Sequence, residues 1–308
     1  MNILIAGELN PDLLLQNYRM FPQPGTEVLV EDLLLTLGSS SAICAVGLAR
    51  LGDRVTFAAN VGADTYGDFC VGALEREGID VSLVNRRADL KTGITVSITS
   101  STDRALVTYP GAIASLRAED LPKGVFAGCR HFHVSSYFLQ DGLRPGLKRL
   151  FAEARRAGLS TSLDTGYDPS EQWSVDLIDT LQEVDVFLPN ESEIQCITKR
   201  QDVVDGLRAL ANGHTLVVGK LGKEGCISLE HGALVKVDAF PIQAVDTTGA
   251  GDSFDAGFLH AWLRNRPIED CMRLGAACGA LSTRGLGGTA TQPNEEEAES
   301  YVHAQAGH

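Results

Sequence analysis

Long hydrophobic runs are missing from this 308-residue chain. The opening MNILIAGELN has no basic flank, its apolar stretch is too short for a signal peptide, and no later run approaches membrane-spanning length. A cytoplasmic protein with no membrane partner is expected. Positive charge is also scarce: 26 Lys and Arg stand against 40 Asp and Glu, for a formal net charge of −14. Without a local basic stripe the chain would repel a phosphate backbone, so nucleic acid is not an expected partner. No C-x-x-C pair occurs among the seven cysteines (Cys44, Cys70, Cys129, Cys196, Cys226, Cys271, Cys278), which are odd in number and sit among small or apolar neighbours. They read as reduced core residues rather than metal ligands, a disulfide set or a catalytic thiol. Low-complexity tracts are lacking as well, and 44% hydrophobic with 21% charged residues is an ordinary globular profile. The acidic tail TQPNEEEAESYVHAQAGH reads as a last surface helix fraying toward His308.

Short apolar runs bounded by turn residues are plentiful: residues 2–7, 55–62, 131–136, 159–164, 184–190 and 215–220 each read as a buried strand. Between most of them lie stretches with apolar residues three and four apart and a closing glycine, such as SAICAVGLARLG and YGDFCVGALEREG. Alternating strand and helix predicts an α/β core with a mostly parallel sheet covered by helices on both faces. Two segments break the pattern, 11–37 and 91–112. The second alternates apolar and polar residues around a Ser-Thr-Asp turn, as a half-buried hairpin does. The expected division is therefore a core of 1–10, 38–90 and 113–308 with a small discontinuous β appendage of 11–37 and 91–112. A ligand is expected between the appendage and the carboxyl ends of the parallel strands.

The stretch AVDTTGAGDSFDAGF (244–258) carries the most chemistry. Gly249 and Gly251 lack side chains, so the amides of residues 249–252 can converge on one point at the positive end of a helix starting near Asp252. Such an anion hole suits a phosphoryl group in flight, with Asp252 placed to take a proton from an attacking hydroxyl. An Asp-capped helix after a glycine turn would read the same way. Residues Ser253 to Leu263 read as an amphipathic continuation of that helix.

DTTGAGDSFDAGF closely resembles the carboxyl-terminal signature of the PfkB, or ribokinase-like, family of carbohydrate kinases. GELNPD (7–12), GLARLGDRVTFAANVGADTYGD (47–68), TGITVSI (92–98), PNESE (189–193) and VVGKLGKEGC (217–226) follow in the family's order, so the resemblance covers almost the whole chain. It implies a Rossmann-like core with a β-sheet lid and the use of ATP and Mg2+. By resemblance Asp252 is the catalytic base, and the amides of Gly249, Ala250 and Gly251 hold the transferring phosphate. An Asp at a helix start is expected to have a low pKa. Asn190 and Glu193 match the family's N-x-x-E motif, with Glu193 organising Mg2+ through water; an Asn-capped helix with a solvated acidic first turn is the alternative. Lys220, Gly222 and Gly225 match the nucleotide loop, where a plain hairpin turn is the alternative, and Gly275 stands where many members have an Asn beside the adenine. Asp246 and Thr248 match a potassium site, although the STRGLGG loop (282–288) that would complete it departs from the family pattern.

Asp12 matches the substrate-hydroxyl acceptor. The second family signature, G-G-x-x-x-N-x-A, reads here as GSSSAICA: Gly38 is kept, Ser39 replaces the second glycine, Ser40 follows, and Ile43 replaces the sugar-binding Asn. Either Ser39, Ser40 and Ser41 supply substitute hydroxyls or Ile43 faces an apolar part of a different acceptor. Asp164 falls in the family's Asp-rich loop near the phosphates, with Trp173 as packing. His131 and His133 alternate on a strand without a third ligand in view, which does not make a metal site. The resemblance implies an ATP-dependent kinase for a small carbohydrate. A nucleoside kinase, with Tyr18, Phe21 or Tyr109 as stacking surfaces, and a catalytically weak nucleotide or sugar sensor are the alternatives. A homodimer through exposed lid edges is a further expectation, against which Pro22, Pro24 and charges could blunt the edge.

Overall fold

Strands that are apolar at every position must be covered on both faces, and the runs NILIA, HFHV and VF are buried almost throughout. The computed structural model describes residues 1–18, 20–99, 104–173, 175–230 and 232–306. Among these, one nine-stranded sheet and one four-stranded sheet form.

The large sheet uses β1 (Asn2–Ala6), β4 (Arg54–Gly62), β5 (Asp80–Arg87), β8 (His131–Val134), β9 (Ser160–Leu163), β10 (Val186–Phe187), β11 (Leu216–Lys220), β12 (Cys226–Glu230) and β13 (Ala233–Val237), in the order β13-β12-β11-β10-β9-β8-β1-β4-β5. Pairing is parallel from β5 to β11, and the β12–β13 edge is antiparallel. After β1 the chain turns to β4 on one side and later to β8 on the other, so the order reverses at β1 and β8. A crevice opens beyond the carboxyl ends of such strands. The six predicted strands all form, within one to three residues of their expected ends.

The small sheet comprises β2 (Pro11–Gln16), β3 (Asp32–Leu37), β6 (Ile94–Thr99) and β7 (Arg104–Tyr109), ordered β3-β2-β6-β7. The Ser-Thr-Asp turn between β6 and β7 lies outside the described residues. Register separates the two faces of the sheet. Asp12, Thr36, Thr95 and Thr108 fall on one; Leu13, Leu35, Val96, Val107 and Tyr109 fall on the other.

Nine α-helices, α1 (Ser40–Arg50), α2 (Thr65–Arg76), α3 (Arg144–Arg156), α4 (Asp176–Thr180), α5 (Glu191–Thr198), α6 (Val203–Leu210), α7 (Ala250–Trp262), α8 (Ile268–Ser282) and α9 (Glu295–Ala306), are present among the described residues. The expected amphipathic stretch is not one: in α7 every residue from Ser253 to Ala261 is buried, because α1, α8 and the sheet enclose it. Gly257 admits the Cys278 side chain of α8 and Gly47 of α1 faces Ala256, so the enclosure is close. The acidic tail forms α9, and its last two residues lie outside the description. Five cysteines are core residues as expected, whereas Cys129 is half-buried and Cys196 is exposed on α5. No helix among the described residues is long and apolar enough to cross a membrane.

Candidate active site

Gly249 caps α7 at φ 73°, a conformation that suits glycine. Its sharp turn starts α7 at Ala250, two residues before Asp252, which therefore occupies the third helical position. Two cavities meet at this turn. Thr248, Gly249 and Asp252 line one of about 270 Å³, and Thr247, Ala250 and Gly251 line the other, of about 460 Å³. A larger cavity of about 570 Å³ lies at the amino ends of the strands, against Met1, Arg130 and Ser160.

The smaller cavity is walled by the polar face of the small sheet (Asp12, Thr95, Ser97, Thr108) and by Glu8, Asn10, Ser39, Ser40, Ile43 and Ser136 from the core. Gly38 does not line it. A Cβ there would collide with the Asp12 carboxylate, so Gly38 makes room for Asp12. The serines divide unequally. Ser39 donates to the Glu8 carbonyl and caps α1 at Ala42, while Ser41 gives both its amide, at 3.1 Å, and its hydroxyl, at 2.7 Å, to the Glu8 carboxylate. Only the Ser40 hydroxyl reaches Asp252. The hydroxyls of Ser39 and Ser41 are thus engaged by Glu8, although Ser39 still lines the cavity. Ile43 packs against Gly249 and Gly288 as part of the wall. Tyr109 points to the other face of its sheet and is half exposed, and Tyr18 and Phe21 contact each other away from the cavity.

The larger neighbour is apolar on one side, with Phe240, Pro241, Ile242, Ala244, Phe254, Ala276 and Ala280, and polar where Lys220, Lys223, Thr247 and Thr283 enter. Gly222 and Gly225 line it and both take positive φ in the β11–β12 hairpin, so the nucleotide-loop and hairpin readings describe one segment. Gly275 does not line it, and the Phe254 ring covers that position.

Charge concentrates behind the turn. The Lys220 Nζ lies 3.0 Å from Asp164 Oδ2 and 3.0 and 3.1 Å from the two oxygens of Asp255. One carboxylate oxygen from each of Asp164, Asp252 and Asp255 falls within 4.8 Å of the others. Burial pulls the Lys220 ammonium down, but Asp164 and Asp255 outweigh it and hold it protonated. Burial, then the charge of Asp164, pushes Asp252 up to about 7. The expected low pKa is overturned, because desolvation and a neighbouring carboxylate outweigh the helix terminus. Asn190 caps α5, and Glu193 returns the bond: its carboxylate accepts from Asn190 N at 2.9 Å, Asn190 Nδ2 at 2.7 Å and Thr165 Oγ1 at 3.1 Å. Glu193 is buried, not solvated, and burial followed by Asp164 raises it to about 7. Asp246 accepts from Thr248 N and Oγ1 on one oxygen and from Gly287 N on the other, tying the 246–248 turn to the 285–288 loop.

His131 and His133 belong to a buried hydrogen-bonded row, Ser160–His131–Ser162–His133–Ser135, with contacts of 2.7 to 2.8 Å. Burial holds their pKa values down to about 3 and about 4, so both rings are neutral. Trp173 packs against Phe138 and Tyr167.

Sequence reasoning missed Glu8 and Asp255. Glu8 lies two residues beyond a strand buried to its carboxyl end, a position that could have marked it; Asp255 reads as the polar face of an amphipathic helix that does not exist.

The profile of the pfkB family carbohydrate kinases matches residues 2–295. A fructokinase from Klebsiella pneumoniae is 34% identical over 286 residues, covering 86% of this chain and 91% of its own. A nucleoside kinase from Methanothermobacter thermautotrophicus is 30% identical over 290 residues, covering 94% and 91%. Among solved structures, Arabidopsis thaliana ribokinase complexed with ribose and ATP superposes with a TM-score of 0.83 at 21% identity, covering 97% of this chain and 98% of that one.

Proposed function

The chain belongs to the pfkB family of carbohydrate kinases, phosphotransferases that act on sugar hydroxyls, and from that premise we propose that it moves the γ-phosphoryl group of Mg-ATP to a hydroxyl of a small neutral carbohydrate. The observation that carries this reading is the shared wall: the amino end of α7 stands between a cavity that is polar on one side and a mostly apolar one. An acceptor in the first and a triphosphate in the second would meet over the amides of Gly249, Ala250 and Gly251. The amides of Gly249 and Gly251 are fixed donors for charge that grows on the phosphoryl oxygens, while that of Ala250 also gives a long bond of 3.3 Å to the Thr247 carbonyl; fixed donors need no reorganisation in the transition state.

Asp252 takes the acceptor proton. A base with a pKa of about 7 matches the working pH better than an ordinary carboxylate. Asp12, Glu8, Ser40 and Thr95 supply acceptors and donors for the other hydroxyls, and carboxylates favour a neutral polyol over an anion. Ile43 gives the acceptor an aliphatic neighbour where the family has Asn, which predicts altered sugar selectivity. Aliphatic side chains such as Leu14, Ile113 and Leu139 line the rest of this cavity, and this favours a sugar over a nucleoside that stacks on an aromatic ring. Mg2+ carried by the triphosphate neutralises its charge, and Glu193 and Asp164 are the carboxylates best suited to hold its waters. Lys220, Gly222 and Gly225 face the phosphates. The small sheet (11–37 and 91–112) acts as a lid that excludes water over the acceptor.

ADP release with Mg-ATP and a panel of pentoses, hexoses, sugar acids and nucleosides, run beside Asp252→Asn, tests the reading. One strong acceptor, lost in the variant, supports it; ATP binding without turnover on any acceptor supports a sensor instead. Comparison of potassium with sodium in the same assay tests the cation site at Asp246 and Thr248.

Two copies associate through the apolar face of the lid. Leu33, Val107 and Tyr109 on that face are half to two-thirds exposed, which is unusual for a sheet face in a monomer.

A further inference from the structure

Lys220 ends β11, and its side chain runs beneath the α7 turn: a Cβ added at Gly251 would lie 3.5 Å from its Nζ. Asp255 meets it there. Asp255 is one helical turn beyond Asp252, completely buried, and lines neither cavity. A carboxyl group in the interior of a buried helix is unfavourable unless it is paired, and here both of its oxygens lie within hydrogen-bond reach of one ammonium while Asp164 hydrogen-bonds to it as well. Its neighbours in α7, Phe254, Ala256 and Phe258, are apolar, so packing alone would be served by an aliphatic side chain. Asp164 completes the grip from β9's end at 3.0 Å.

We propose that Asp255 is a positioning residue for phosphoryl transfer: with Asp164 it fixes the Lys220 ammonium beneath Gly251, where the positive charge faces the phosphoryl group as it crosses from one cavity to the other. This rests on the kinase reading above. A lysine has a long flexible stem and many rotamers, and the bidentate contact leaves it one. Lys220 lines the nucleotide cavity and stands beside the cluster that contains Asp252. A charge held at this junction is preorganised for the transition state rather than recruited during it. Asp255 itself touches no reactant, and its effect passes through Lys220.

A double-mutant cycle of Asp255→Leu and Lys220→Met separates this role from a structural one. Leucine has aspartate's branched skeleton, with two methyl groups in place of the carboxylate oxygens, and so removes both acceptors. Asp255→Leu is expected to lower kcat by about 10- to 100-fold while the KM for the sugar stays within about twofold. Lys220→Met lowers kcat at least as far, and the double variant is no worse than Lys220→Met alone, because residues acting through one contact are not additive. Asp255→Asn restores most of the rate, since its amide oxygen accepts from Lys220 and its NH2 faces Asp164. Losses that multiply in the double variant, or an Asp255→Leu enzyme with lowered Tm and unchanged kcat, overturn the proposal.

If Asp255→Leu does not fold, the same cycle is run with Asp255→Asn, whose small loss must then vanish in the Lys220→Met background. If the wild-type protein turns over no acceptor, the kinase reading fails by itself. The cycle is then read on Mg-ATP affinity by calorimetry: loss of the Asp255 effect in the Lys220→Met background supports the positioning role, and independent effects overturn it.

Discussion

Ser39 donates its hydroxyl to the main-chain carbonyl of Glu8 and thereby fastens the start of α1 to the end of β1. The same oxygen accepts from Ala42 N at 3.1 Å, so one atom caps the helix and braces the strand. Ser39 does this at φ 70°, a left-handed conformation that favours glycine, and this accounts for the glycine in the family signature. Ser39→Ala keeps the strain and loses both bonds, and is expected to destabilise by about 1–2 kcal/mol. Ser39→Gly loses the bonds but relieves the strain, and should stay within about 1 kcal/mol of the parent. Urea unfolding of the two variants checks the order; equal losses would mean that the backbone there is unstrained.

As the proposed base, Asp252 should set the pH dependence of catalysis. Its carboxyl, raised to about 7 by burial and then by Asp164, must be ionised to take a proton. Hence kcat/KM should fall tenfold per unit of pH below about 7, and an acid limb near 4 would contradict the assignment. Asp252→Asn should lower kcat by about a thousandfold or more.

The same shift predicts a stability effect of opposite sense. A carboxyl whose folded pKa lies above its unfolded value binds more protons when folded, so stability falls as pH rises from about 4 to about 7. The penalty is complete above that range. Asp252→Asn removes it, and calorimetry at pH 8 should show a Tm higher by at least about 2 °C, with a smaller gain at pH 5.5. A variant less stable than the parent at pH 8 would show that the carboxylate is not strained by burial.

The core strands were legible because a stretch such as NILIA, apolar at every position, can sit only in a covered sheet. The paired segments of the small sheet were legible from alternation. What escaped depends on contacts between distant parts of the chain. A helix terminus next to Asp252 is visible locally, but the burial and the Asp164 charge that reverse its pKa come from the packing of α7 against the sheet. SFDAGFLHAWL has enough polar positions to look amphipathic, yet Ser253 bonds to Gln292, Asp255 to Lys220 and His260 to Asp53, so each polar group is satisfied inside. Tyr109 is a stacking candidate for a nucleoside because it ends a lid strand; strand parity turns it outward and brings Thr108 inward. Asn190 and Glu193 show the reverse case, in which a capping box and a family motif are the same residues.

Lid association makes a prediction about mass. Val107 is 59% exposed on the apolar lid face, midway along the edge strand β7, which pairs to β6. An aspartate there would be desolvated by any partner covering the face, whereas in a monomer it would meet water. Light scattering should give the parent two chains and Val107→Asp one, with unfolding of the separated chain otherwise cooperative. A parent that runs as one chain at every concentration would remove the dimer.

Ala280 offers a separation of the two cavities. It lies on α8 beside Phe254, Ala276 and Thr283, where it lines the larger cavity and not the smaller. Ala280→Phe would place a ring in a space of about 460 Å³ that we assign to the nucleotide. A bound base and the new ring would compete for the same apolar wall. Loss of that contact should raise the KM for ATP by about tenfold or more. The acceptor KM and the kcat at saturating ATP should stay within about threefold, because the Asp252 side of the turn is untouched. A matching rise in both KM values would mean that the substitution displaces α7 as a whole. An unchanged KM for ATP would place the nucleotide elsewhere and detach the anion turn from its donor.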